Sequence, residues 1–353
     1  MSATDRTNAI LGLTAAGFVM SLAAGRLRPI VRGLSAEAAG AATSAAPAVR
    51  SVVACGRGRD ICAPPIRDTI VALAQQATGK TTPPSLLYLG TPAFEADDAL
   101  KLQTEGFAAV GCPVAELRLT DLETAPSAEQ RRAAIESADI IVVSGGNTLF
   151  GMSRWRQSGV DELLRAAWER GAVMCGGSAG AICWFDGGHS DSLDPASVLN
   201  PKPNMSEEEA STWSYVRVAG LGLVPALCCP HHDTTQSNGV PRAKDFDRML
   251  LENPAEVGVC IDNNCAFIYE SQEGGEANWR AVSSGSWEHG ESGGLSRKVP
   301  TPPNISFDPV SFSTHLAEQV WENGVIVETK LEVDGGLQPM GQLLALPDFT
   351  HLP

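Results

Sequence analysis

Short apolar runs that alternate with helix-length segments constrain this chain more than any other feature. Ser51–Cys55 (SVVAC) reads as a first strand running into a Gly56-Arg57-Gly58 loop, and Ile66–Ala77 has helical spacing that stops at Gly79. Ser85–Leu89 is a second strand. Glu95–Val110 is a helix with acids in its first turn, where the dipole favours them, and Val114–Leu119 is a third strand. Ser127 followed by Gln130 has capping-box spacing. Asp139–Ser144 (DIIVVS) is apolar enough to be buried on both faces; a helix over Asp161–Arg170 and a strand over Ala172–Cys175 follow. Strands alternating with helices of this length mean βαβ units. The expected fold is therefore three-layer α/β, built on a mainly parallel, doubly wound sheet.

Further strands are expected at Leu221–Cys229, Val257–Ile261 and Ala266–Tyr269, with a terminal hairpin around Trp279–Val282. From Leu295 the rhythm is lost, and Pro300, Pro302 and Pro303 appear. The organisation read from this is a leader over 1–50, an α/β domain over 51–294, and an extension over 295–353 packed on that domain.

Charge narrows the function classes. The 353 residues sum to −15, yet residues 1–58 carry six arginines against Asp5 and Glu37, leaving −19 on the remainder. So acidic a surface argues against a general nucleic-acid binder. The apolar stretch Ala9–Gly25 falls just short of a membrane span and is followed by an Arg-, Ala- and Ser-rich run. Three readings of this leader stay open: a transit peptide, a dispensable extension, or a secretion signal. The nine cysteines are odd in number, sit largely in apolar runs and form no CxxC pair. Buried thiols in a reducing compartment, cytoplasmic or organellar, are expected rather than a disulfide framework.

The chemistry is carried by Val173–Phe185, VMCGGSAGAICWF. An apolar strand runs into Gly-x-Ser-x-Gly and then helix-compatible residues, the strand–turn–helix setting in which that motif has meaning. Ser178 would stand at a helix N-terminus, where free N–H groups favour an oxyanion. A serine needs a base. His231 ends a strand-like run, on the edge where ligands bind in parallel sheets; His189 lies eleven residues past the serine. Asp191 leads as the acid that orients the base, with Asp262 second and Asp186 and Asp233 behind. Gly145, Gly146 and Asn147, after the central strand, could bring backbone N–H groups to a substrate carbonyl, together with Ala179. No metal and no cofactor are expected, since a serine elbow needs neither.

The ordered motifs SGGNT (144–148), CGGSAGA (175–181), GHSDS (188–192) and CPHHD (229–233) resemble the peptidase E / cyanophycinase family of serine peptidases, over about Ser51 to Trp287. The resemblance implies a class I glutamine amidotransferase-like, flavodoxin-like fold. It puts the nucleophile on Ser178, the histidine on His231, the acid on Asp191 and the Gly-Gly-Asn turn on Gly145, Gly146 and Asn147. Some members use an acid on a later strand, which keeps Asp262 open. The forms CPHHD and GHSDS look closer to the aspartyl dipeptidase branch, which implies small peptides with N-terminal aspartate as substrates. On an acidic protein such a pocket needs a local cation, and Arg242 is the candidate, ahead of Arg217 and Arg248. Competing readings are a cyanophycinase-like exopeptidase and a non-catalytic binding protein on the same scaffold. No nucleic-acid partner and no stable membrane span are expected, and the oligomeric state is left open.

Overall fold

Along β1 (Arg50–Cys55) the side chains alternate between two cores: Val52 and Ala54 join one, Val53 and Cys55 the other. That alternation needs cover on both faces, as the sequence pattern predicts. The computed structural model describes residues 48–284, 293–301, 318–321 and 324–345, so nearly all of the expected leader, with Pro302 and Pro303, lies outside the described residues.

A short 3₁₀ turn (Gly58–Cys62) leads from β1 to α1 (Pro64–Thr78). Then come β2 (Leu86–Leu89), α2 (Asp97–Ala109), β3 (Val114–Glu116), α3 (Ala128–Glu136), β4 (Ile140–Val143), α4 (Thr148–Ser158), α5 (Val160–Glu169) and β5 (Val173–Gly177). The α3 start carries the expected capping box: Ser127 Oγ accepts from the Gln130 N–H while the Gln130 side chain accepts from the Ser127 N–H. Beyond β5 lie α6 (Ala179–Ile182), β6 (Phe185–Ser190), α7 (Glu207–Ser211), β7 (Val216–Ala219), β8 (Val224–Pro230), α8 (Arg242–Glu252), β9 (Gly258–Ile261), β10 (Cys265–Ser271) and β11 (Asn278–Ser283). Last are β12 (Leu295–Thr301), β13 (Glu318–Trp321), β14 (Gly324–Leu331), β15 (Gln338–Pro339) and α9 (Met340–Leu344).

The architecture is three-layer α/β, with a sheet pattern richer than one doubly wound sheet. Among the described residues there are two sheets, of order β15-β11-β10-β1-β5-β4-β2-β3 and β13-β14-β12-β9-β8-β6-β7. Parallel pairing is confined to β1-β5-β4-β2-β3 and β6-β8-β9; the flanking strands pair antiparallel. The division has a local cause. A crossover back into the same sheet takes about a dozen residues, and α6 is one turn long, so β6 starts a second sheet instead.

Helices α1 and α2 cover one face of the first sheet through Ile66, Ile70, Leu73 and Phe107. The other face packs against Trp155 of α4, Leu164 of α5, Ile182 of α6 and the inner side of the second sheet (Val224, Cys228, Val259, Ile261). The second sheet's outer side carries Phe246, Met249 and Leu250 of α8. After Leu295 the chain continues this sheet, for β12 pairs with β9 from Leu295↔Ile261 to Lys298↔Gly258. All nine cysteines are free, eight of them buried. No helix among the described residues is long and apolar enough to cross a membrane.

Candidate active site

The first sheet delivers Ser178 and the second delivers His231. Ser178 follows β5 directly with φ +57° and ψ −121°, a backbone that side-chain-bearing residues rarely adopt. Close packing imposes it. A Cβ on Gly177 would come within 2.3 Å of Arg57 O, so this approach requires glycine. The Ser178 N–H is tied to Cys55 O at 3.2 Å, while its hydroxyl caps nothing and makes no hydrogen bond among the described residues.

The Ser144–Thr148 turn lies beside the serine: a Cβ on Gly145 would sit 3.3 Å from Ser178 Cβ and 3.8 Å from its Oγ. Gly146 has φ +126°, and a side chain there would strike Pro92 O. The Gly146 and Ala179 N–H groups find no acceptor among the described residues, which leaves two donors next to Ser178. Because α6 is one turn long, those N–H groups matter more than any macrodipole. Asn147 differs from expectation. Its N–H bonds Pro92 O, its Oδ1 caps Phe150 N–H, and its Nδ2 donates to Ser192 O and Ser197 O, so it braces the turn and keeps no donor for a ligand.

His231 leaves the end of β8 with φ +50°. Its Nδ1 meets Asn263 Oδ1 at 2.7 Å. The expected orienting acids are engaged elsewhere. Asp191 accepts from Arg242 Nη1 at 3.0 Å, because Arg242 at the start of α8 reaches across to the end of β6. Asp262 meets His232 Nδ1 at 3.2 Å. Asp233 accepts the Asn263 N–H, and Asp186 lies on β6 away from this cluster. Burial first, and then the charge of Arg242, push the His231 imidazole down to about 4, against the Asn263 hydrogen bond and the charge of Asp191.

His189 is a structural residue. It is fully buried, with Nε2 on Asp245 Oδ1 at 3.0 Å and its ring against Tyr215, and burial pushes it to about 4. Arg242 is no open substrate cation. At 1% exposure it is spent on Asp191 and on His189 O at 2.6 Å, over the Tyr215 ring. Arg217 pairs with Glu256, and Arg248 with Asp245 and Glu252. The partly exposed Arg57 and the exposed Arg59 instead line a cavity of about 290 Å³ with Asp60, Cys62, Glu105 and Asn264.

The residue that sequence reasoning missed is Asn263. Its signal was position, one past Asp262 on the turn after a strand neighbouring β8, but the search for an acid passed over an amide. Arg57 and Asp60 were missed as well, although the Gly-Arg-Gly-Arg-Asp loop follows the first strand.

The chain is similar to several known proteins. The model of peptidase family S51 matches residues 65–276. An uncharacterized peptidase, YgaJ, of Bacillus subtilis is 29% identical over 154 residues, 44% of this chain and 57% of its own length. A protein of Trypanosoma brucei brucei named G2/mitotic-specific cyclin-1 is 25% identical over 209 residues, 52% of this chain and 60% of its own. The chain thus spans about three fifths of the curated relatives it matches. A crystal structure of a peptidase from an acI-B1 Actinobacterium aligns with a TM-score of 0.47 at 18% identity, covering 67% of this chain and 88% of that one.

Proposed function

The chain belongs to peptidase family S51, and from that premise we propose that it is a serine-type peptidase that hydrolyses dipeptides with N-terminal aspartate through Ser178, His231 and Asn263. The observation that carries the reading is a serine on a strained elbow whose hydroxyl makes no hydrogen bond among the described residues; at the end of β8, His231 has its Nδ1 on the Asn263 amide.

Ser178 Oγ attacks the scissile carbonyl as His231 Nε2 takes its proton, and the Gly146 and Ala179 N–H groups receive the oxyanion. His231 then returns the proton to the leaving amine; a water, deprotonated by the same imidazole, cleaves the acyl ester, and His231 gives that proton back to Ser178 Oγ. Asn263 Oδ1 accepts from Nδ1–H, which fixes the tautomer that leaves Nε2 as base. It supplies orientation without a formal charge. Asp191, whose charge raises His231, offers a negative field while bonded to Arg242.

A panel of Asp-X, Asn-X, Glu-X and β-Asp-X dipeptides tests the substrate. Asp-Leu should turn over fastest; preference for β-Asp-Arg would replace this reading by a cyanophycinase-like one. The rate also has a predicted pH dependence. The base works neutral and its value is depressed, so kcat/KM should rise with pH through a midpoint near 4 and be level by neutral pH. A midpoint at the ordinary histidine value of about 6.5 would show that the base is not this enclosed imidazole.

A further inference from the structure

Ser178 and His231 stand on different sheets, and one loop reaches both the elbow and the turn that holds His231. Residues 55–60 hold the Ser178 N–H on Cys55 O and press Arg57 O against Gly177. The side chains of the same loop reach the other way. Arg57 Nη2 donates to Asn264 Oδ1. Asp60, 3% exposed, accepts from Arg57 Nε at 2.8 Å, from Arg57 N–H at 3.3 Å and from Asn264 N–H at 2.8 Å. Asn264 is the next residue after Asn263, whose Oδ1 meets His231 Nδ1. We propose that Asp60 is a positioning residue, which through Arg57 and the Asn263–Asn264 turn holds His231 in register with the Ser178 elbow. The inference rests on the Ser178–His231 reading above.

The other bonds on this turn anchor it elsewhere. The Asp262 N–H goes to Gly294 O, the Asn263 N–H to Asp233 Oδ1, and Asn264 O accepts from the Ser284 N–H. The contacts from Asp60 and Arg57 refer it to the loop that also carries the elbow. A carboxylate suits the position because three donors converge on an acceptor-only group. An asparagine there would turn its own NH₂ towards at least one of those donors. The cavity of about 290 Å³ alongside leaves the turn room to relax, so the loss appears as misplacement.

The test is the rate at which a small neutral fluorophosphonate labels Ser178 from pH 4 to 9, with kcat and KM for the best dipeptide. Such a probe reports on the serine and its base without dipeptide recognition. Asp60→Asn should label about 10- to 100-fold more slowly on the pH plateau, with kcat falling likewise and KM within about threefold. Arg57→Gln should give a similar labelling loss, and the double variant little more, since both act through one network. As a control, Asp139→Asn removes another buried carboxylate, bonded to Lys80 and Ser85 at the start of β4. It should lower Tm and leave labelling of the folded protein at the wild-type rate. Wild-type labelling rates in folded Asp60→Asn would overturn the proposal. If that variant does not fold, wild-type labelling in Arg57→Gln, whose side chain is partly exposed, overturns it. Wild-type protein that takes no label at Ser178 would instead sink the parent reading.

Discussion

Ser178→Ala should leave a folded protein that turns over its best dipeptide about 10⁵- to 10⁶-fold more slowly than wild type, the scale of loss when a serine hydrolase loses its nucleophile. The structure separates this loss from any effect on folding. Ser178 Oγ bonds nothing among the described residues, so its removal orphans no partner. Gly177 and Gly146, which the tight approaches of Arg57 O and Pro92 O require, stay in place. Ser178→Gly adds a second readout. With φ at +57° a side chain at 178 is strained, and glycine relieves that strain by about 1 kcal/mol or more. A variant that is dead yet melts higher than wild type shows that the elbow stores strain for function. Near-wild-type hydrolysis by either variant contradicts the assignment.

The largest expected effect on stability is at Lys298. Its Nζ donates to Asp247 Oδ1 at 2.7 Å, with both side chains 3% exposed, and lies 3.5 Å from Glu328 Oε2. This ties β12 to α8 and β14 inside the second sheet's outer core. Burial pushes the Glu328 carboxyl up, but Lys298 together with His232, Ser296 and Lys330 outweighs it and holds that carboxyl down at about 2. Lys298→Met would leave the enclosed Asp247 carboxylate without its cation, and Glu328 with only the exposed Lys330. Breaking one side of such a buried pair costs about 3–5 kcal/mol, which for a chain of this size lowers Tm by roughly 10 °C. Lys298→Met with Asp247→Leu should recover much of the loss, because an apolar pair of similar volume is often neutral in place of a buried ion pair. Thermal melts of the three proteins check this. A single variant as stable as wild type would mean that the tail strands contribute little to the fold.

Much of the first sheet was legible in the sequence, because runs such as IIVV and AVMC can only be strands apolar on both faces, and Ser127 with Gln130 announces a helix start. The second sheet was not. Phe185–Ser190 reads FDGGHS, with neither apolar alternation nor β-branched residues, and it forms a strand because α6 is too short to return the chain to the first sheet. The tail was unreadable for a similar reason: LSRKVPT carries a lysine and a proline, and it becomes a strand by pairing with β9 and burying that lysine on Asp247.

At the candidate site, the places of Ser178 and His231 just past strand ends were legible, because apolar runs mark those ends. Their partners were not. Orientation of an imidazole depends on which loop side chain lies within about 3 Å of Nδ1, and sequence spacing carries no such distance. Asp191 has suitable chemistry but a nearer cation in Arg242, while Asn263 is the group within reach. Arg242 failed as an open substrate cation for the same reason, since its place at the start of α8 turns it inward.

Peptide mapping after reaction with a fluorophosphonate at neutral pH tests the assignment of the nucleophile most directly. One adduct per chain, on the peptide that carries Ser178 and absent from Ser178→Ala and His231→Ala, is the predicted result. An adduct on another residue, or full dipeptide turnover by protein that carries the adduct on Ser178, contradicts it.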